Sequence, residues 1–154
     1  MNPNLQSLYG DKVRVRVCGL CWQNGDLLMV NHKGLTEGDF WAPPGGGVEY
    51  GERAEQRLQA EFLEEAGLRI SIGTFRFACE FIAKPLHAIE LFFDVSVTGG
   101  TLSKGRDPEL NIIDDVRFIS VAELASMPAQ QVHGIFAHVR SADELRKLNG
   151  FFRI

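Results

Sequence analysis

Glu61, Glu64 and Glu65 crowd into little more than one helical turn near the end of GGGVEYGERAEQRLQAEFLEEAGL, the stretch from 45 to 68. On a helix, at about 100° per residue, they fall within an arc of roughly 100° and share one face. Like charges at these spacings repel, and the last turns of a helix already disfavour negative charge. Two readings answer that repulsion. The face is simply solvated, or its hard oxygen ligands hold a divalent cation, Mg2+ or Mn2+. The glycines Gly45 to Gly47 lie just upstream. Lacking Cβ atoms, they allow close backbone approach and can aim carbonyls at a metal or N–H groups at a phosphate. A glycine loop beside an acidic helix face is the apparatus expected for metal-assisted water attack on a phosphoanhydride.

These groups need a scaffold, and a chain of 154 residues suffices for a single domain, 1–154, with its own core. Val13, Val15 and Val17 alternate with Arg14 and Arg16, the period of a half-buried strand, and Asn24-Gly25 separates this run from Leu27-Leu28-Met29-Val30 as a hairpin would. Lys33 to Phe40 reads as a loop, and Trp41 to Gly47 is rich in helix breakers. From Arg53 to Ala66, apolar Ala54, Leu58, Phe62 and Ala66 recur every four positions with Leu63 beside them, and Gly67 supplies a C-terminal cap. Two further alternating runs, Phe75 to Phe81 and Ile89 to Val97, flank the break at Lys84-Pro85 and predict paired strands. Val116 to Ile119 predicts another strand. Ser120 to Glu123 and Ser141 to Glu144 are capping boxes, opening helices that end near Pro128 and Asn149-Gly150. Strands and helices without a regular βαβ rhythm indicate an α+β domain with a mixed sheet.

The formal charge of -4, with basic residues scattered, lacks the footprint of a nucleic-acid binder. No apolar stretch approaches a bilayer span, and MNPNLQSLYG is not a signal peptide, so no membrane is expected and the location read is cytoplasmic. Three cysteines argue against a disulfide framework. Cys18 and Cys21 form a C-x-x-C, yet on a strand they point to opposite faces and read as small core residues.

The segment resembles the Nudix box, GX5EX7REUXEEXGU with U apolar: Gly46, Glu52, Glu61, Phe62, Glu64, Glu65, Gly67 and Leu68 fill its positions at the required spacings. The resemblance implies a Nudix-type α/β/α sandwich with a mixed β-sheet. It also implies a pyrophosphohydrolase that cleaves a diphosphate linkage in a nucleoside diphosphate derivative by Mg2+-dependent (or Mn2+-dependent) water attack. One position departs. Ala60 stands where the box has arginine, which keeps open a non-catalytic ligand-binding or regulatory module on the same fold. Arg57, four residues before Glu61, either replaces the missing guanidinium or makes a weak solvent-facing pair.

By the same resemblance Glu64 and Glu65 are metal ligands, Glu61 is a third ligand or the base that activates water, and the carbonyl of Gly46 is a ligand. Glu52 either supports them or favours the helix N-terminus. Glu109, from a later loop, either matches an acid that family members add to the substrate site or is an exposed turn glutamate. His32 and Lys33 follow the second strand, where a cation would hold a phosphate, or they are ordinary exposed loop residues. Trp41 or Phe40 either stacks on a nucleobase or serves as core or lid. Glu80 and Glu90 either face a cleft or form cross-strand surface charges. His87, His133 and His138 lack metal spacing and read as structural. The expected partner is a small-molecule nucleotide, and a homodimer is compatible with the chain.

Overall fold

Val13 to Gln23 alternates as a strand should, and in the computed structural model, which describes residues 4–33, 35, 38–105, 113 and 115–154, Arg14–Gln23 forms β1. It is the hinge of the whole sheet. Along Arg14 to Cys21 it pairs in parallel with β6 (Leu86–Gly100). Its other edge is divided: Arg16 to Cys18 pair with β4 (Gly45–Gly47), and only Trp22 and Gln23 pair with β2 (Asp26–Asn31). Asn24 and Gly25 turn this hairpin with φ of 52° and 83°, the two positive angles that a type I′ turn demands. Beyond β2 lie β3 (Trp41–Ala42) and β7 (Asp115–Ser120), both antiparallel to it. Beyond β6 come β5 (Leu68–Ala83) and β8 (Phe151–Arg153), giving the order β3-β2-β1-β6-β5-β8. Parallel and antiparallel ladders coexist, as expected for an α+β mixed sheet.

Both faces of the sheet are covered. On one, Val17, Cys21, Leu28, Val30 and Val95 pack against Leu58, Phe62 and Ala66 of α2 (Ala54–Ala66). On the other, Cys18, Leu20, Met29, Phe77 and Phe92 pack with Leu124 of α3 (Val121–Ser126), Ile135 and Phe136 of the 3-10 turn Gly134–Ala137, and Leu145 of α4 (Ala142–Lys147). The three layers are the expected α/β/α sandwich. Cys18 and Cys21 fall in opposite cores, as strand geometry requires, and all three cysteines are free. Among the described residues no helix is long and apolar enough to cross a membrane.

The valine alternation in β1 is only partly used. Val17 is fully buried, but Val13 and Val15 are 59% and 44% exposed. The α2 cover begins at Val17, so the outer valines project past it. The sequence expectation lacks α1 (Asn4–Tyr9), which buries Leu5, and β8, and the stretch expected as a breaker-rich loop forms the short strands β3 and β4.

The helix α2 follows its apolar period of four closely. At its start the Arg53 N–H donates to Gln56 Oε1 at 3.1 Å; at its end Gly67, with φ 71°, donates to the Leu63 carbonyl. The chain leaving β6 then returns across this end. Ser103 and Gly105 donate backbone N–H groups to the carbonyls of Ala66 and Glu65 at 2.9 and 3.0 Å, pairing acceptors that a helix terminus otherwise leaves to water.

Candidate active site

The glycine strip β4 lies between the acidic helix and β1. Val48 donates to Val15, and Gly19 to Pro44, so the hydrogen-bonded pairs of this ladder alternate through Val17 and Gly46. The backbone groups of Gly46 therefore point at β1, and those of Gly45 point away, into the site. That corrects one expectation: the carbonyl of Gly46 is committed to the sheet and not free for a ligand. Its glycine identity has another cause. A Cβ on Gly46 would run into the carboxylate of Glu61, which rests on the strip from the α2 side.

Each acid of α2 is held differently. Glu65 is 3% exposed; its Oε1 accepts the Gly45 N–H at 2.9 Å, and its Oε2 lies 3.3 Å from His32 Nε2. Glu61 accepts from Arg57 Nη1 at 2.9 Å. Glu64, with its side chain 39% exposed, stands 4.0 Å from the same nitrogen. The other side of the Arg57 fork grips Glu52, through Nε at 3.0 Å and Nη2 at 2.9 Å. Arg57 thus touches both acids that flank it in the box and approaches a third, with its side chain 19% exposed.

The electrostatics follow from this arrangement. Burial, and next the neighbouring charge of Glu65, push the Glu61 carboxyl up to about 7 against the pull of Arg57. The Arg57 hydrogen bonds, helped by the Glu49 N–H, hold Glu52 below the usual carboxylate range. Arg57 itself is driven upward by its hydrogen bonds to Glu52 and Glu61, and stays a fixed cation.

As they stand, no three His, Cys, Asp or Glu side chains among the described residues converge as a metal clasp. Glu61 is turned to Arg57, Glu65 to Gly45 and His32, and Glu64 is partly exposed. The donor chemistry nonetheless suits a hard dication: all three are carboxylates, two are fixed at the strip, and the third is partly exposed. Repulsion among them is offset here by one guanidinium.

Other expected site residues divide. His32 reaches the site through Glu65, whereas Lys33 is exposed in the turn that follows. Trp41 does not offer a ring to a nucleobase. It is 3% exposed within the core, with Arg117 Cζ 4.7 Å from its ring centroid, which corrects its assignment to substrate binding. Phe40 is half-buried, its N–H held by Asn31 Oδ1 at 3.1 Å. Glu109 lies outside the described residues. Glu80 meets His87 at 3.1 Å, a cross-strand pair. Glu90 fits neither of its sequence readings: it is 3% exposed, paired with Arg16, and accepts from His133 Nε2 at 2.7 Å. Only the parallel register that sets Arg16 opposite Glu90 brings these groups together, and nothing local in the sequence signals it.

An α+β sandwich whose acidic helix presses on a glycine strip defines a class of protein, and comparison with known proteins names it. The family model for the NUDIX domain matches residues 11–138, and the chain belongs to that family. It is 46% identical over 63 residues to the nucleoside triphosphatase NudI of Salmonella heidelberg (strain SL476), a match covering 39% of this chain and 44% of that protein. Among solved structures, a NUDIX hydrolase from Nitrosomonas europaea superposes with TM-score 0.71 at 18% identity, covering 87% of this chain and 88% of the other. An ADP-ribose pyrophosphatase from Streptococcus suis 89-1591 gives 0.59 at 16%, covering 90% and 98%. At such identities the structural likenesses speak for the fold.

Proposed function

We propose that the chain hydrolyses a phosphoanhydride linkage in a nucleoside diphosphate derivative by water attack, with Mg2+ or Mn2+ as cofactor. The nucleoside triphosphates, in which a nucleoside diphosphate is joined to one more phosphate, are the first substrates to test, because the matched NudI relative is named for them. The observation that carries the reading is the seating of Glu61 on Gly46, where no other residue leaves room for the carboxylate, with Glu65 fixed by Gly45 alongside.

Glu61, Glu64 and Glu65 would hold the ion, and the Gly45 carbonyl, directed into the site by the ladder, would join them. A dication held there would supply Lewis acidity, to activate a water and to offset negative charge on the phosphates. The protein's own groups do the rest. Arg57 orients Glu61 and ties it to Glu52, so that the carboxylate keeps its place on the strip. Gly45 and His32 together fix the orientation of Glu65. Glu64, the most exposed of the three, is the group that turns. His32 also brings an imidazole ring beside the acids, within 3.3 Å of Glu65.

The test is phosphate or pyrophosphate release from a panel of nucleoside triphosphates, sugar nucleotides and ADP-ribose with Mg2+ and Mn2+. Glu64→Gln with Glu65→Gln should abolish metal-dependent release while the thermal melt of the protein without metal persists. Undiminished release in that double variant would remove the assignment. Metal-induced stabilisation without release from any member would leave the binding module standing in its place.

A further inference from the structure

The glycine strip has an acidic side and a basic one. Arg14 and Arg16 lie on the face of β1 turned away from α2, with Arg16 in register between Gly47 of β4 and Glu90 of β6. A Cβ on Gly47 would come within 2.8 Å of Arg14 Nη2, so that guanidinium lies against the strip, and the Tyr9 ring centroid is 3.7 Å from its Cζ. Arg16 is held by buried chemistry instead. Its Nη1 pairs with Oε2 of Glu90, and Oε1 of Glu90 accepts from His133 Nε2 at 2.7 Å. Nδ1 of His133 accepts the Ile135 N–H at 3.2 Å, which leaves Nε2 to donate to Glu90.

A clamp whose only task was to tie strands would be expected to use the arginine fork fully, since burying two charges is costly and is repaid by geometry. Arg16 uses one nitrogen. Its Nε and Nη2 make no hydrogen bond among the described residues, and its side chain remains 25% exposed. The charges of Glu65 and Glu61 both bear on it from across the strip. The geometry leaves a rigid, permanently charged fork with spare donors beside the acidic face, in the form that bidentate phosphate recognition requires.

We propose that Arg16 grips a phosphate of the substrate's diphosphate from the side of the strip opposite the acids, with Glu90 and His133 as positioning residues. The substrate class rests on the hydrolase reading above; the anion site does not. Two measurements keep them apart. One is steady-state hydrolysis of a nucleoside triphosphate with Mg2+. The other is calorimetric titration of inorganic pyrophosphate with Ca2+ present, which needs no turnover.

Losing hydrogen bonds to a charged group, Arg16→Gln should raise KM and weaken pyrophosphate binding by about tenfold or more, with kcat held within about threefold. Arg16→Lys keeps a point charge without the fork and should fall between; it decides the matter if the glutamine variant does not fold. Glu90→Gln, which releases the anchor, should raise KM too, and Arg76→Gln, remote from the strip, should change nothing. Unchanged KM and pyrophosphate affinity in the Arg16 variants, or a fall confined to kcat, would overturn the proposal. An unchanged KM in Glu90→Gln would remove the positioning part. If the unaltered protein releases nothing from any nucleotide, the hydrolase reading fails, and the pyrophosphate titration still decides Arg16.

Discussion

Arg57 puts a guanidinium beside the acids of a helix that carries Ala60 where the family box has arginine. At position 60 the side chain would leave the helix about 100° from that of Glu61, whereas position 57 stacks one turn below it on the same side. From there one fork spans Glu52, before the helix, and Glu61, within it. Arg57→Gln should therefore lower metal-dependent turnover by about 10- to 100-fold, the usual effect of losing a group that orients a ligand. Stability should change by less than about 1 kcal/mol, as for other partly exposed ion pairs. Steady-state kinetics beside a urea titration separate the two, and full activity in this variant would show that Ala60 has no substitute. Gly46→Ala is a second test at this scale. Its methyl would displace the Glu61 carboxylate, and overpacking of that kind costs about 1–3 kcal/mol; turnover should drop with it. The Arg57–Glu61 pair was legible as an i,i+4 spacing. The bond to Glu52 was not, because Glu52 precedes the helix and only the turn at Glu49 to Glu52 folds it back.

At the scale of elements, α2 depends on what happens at its C-terminal end. Gly67 occupies the left-handed region, and any Cβ there would come within 2.8 Å of the Thr101 carbonyl. Gly67→Ala should destabilise by at least about 1–2 kcal/mol from the backbone alone. Gly105, whose added Cβ would strike the Glu64 carbonyl, should be similarly intolerant, since backbone stands in the way. Urea midpoints for both variants would check this. If Gly105→Ala matches the unaltered protein, the returning chain does not secure the helix. The body of α2 could be read from sequence because its period, cap and apolar face are all local. The elements α1 and β8 could not. Each is short, and β8 exists only through its parallel pairing with Ala78 to Glu80, far away in the chain. The exposed valines of β1 fail for a related reason: alternation reports which face a residue takes, but not how far the covering helix reaches along it.

At the scale of the whole molecule, the parallel ladder between β1 and β6 joins the two ends of the chain's chemistry. It sets Arg16 beside Glu90, and the layer beyond the sheet supplies His133, whose backbone N–H is bound at 2.8 Å by the Trp41 carbonyl. Among the described residues, the charged and titratable groups facing Glu90 come from three parts of the fold: Arg16 and Cys18 on β1, Cys79 on β5, and His133 from the layer beyond the sheet. Burial raises the Glu90 carboxyl, but the attraction of His133 and Arg16 prevails and brings it down to about 2 from the ordinary 4.5. The folded value lies below the unfolded one, so this ion pair stabilises the fold above about pH 4.5 and its contribution is lost as pH falls toward 2. A displacement of that size corresponds to about 3 kcal/mol, an upper figure because Arg16 is partly solvated. Glu90→Gln should thus be less stable than the unaltered protein at pH 7, where it leaves Arg16 without its counter-charge. The gap between their urea midpoints should narrow steadily as pH falls from 4.5 to 3. A gap that stays constant over that interval would mean that the ionised Glu90 does not hold the two halves of the sheet together.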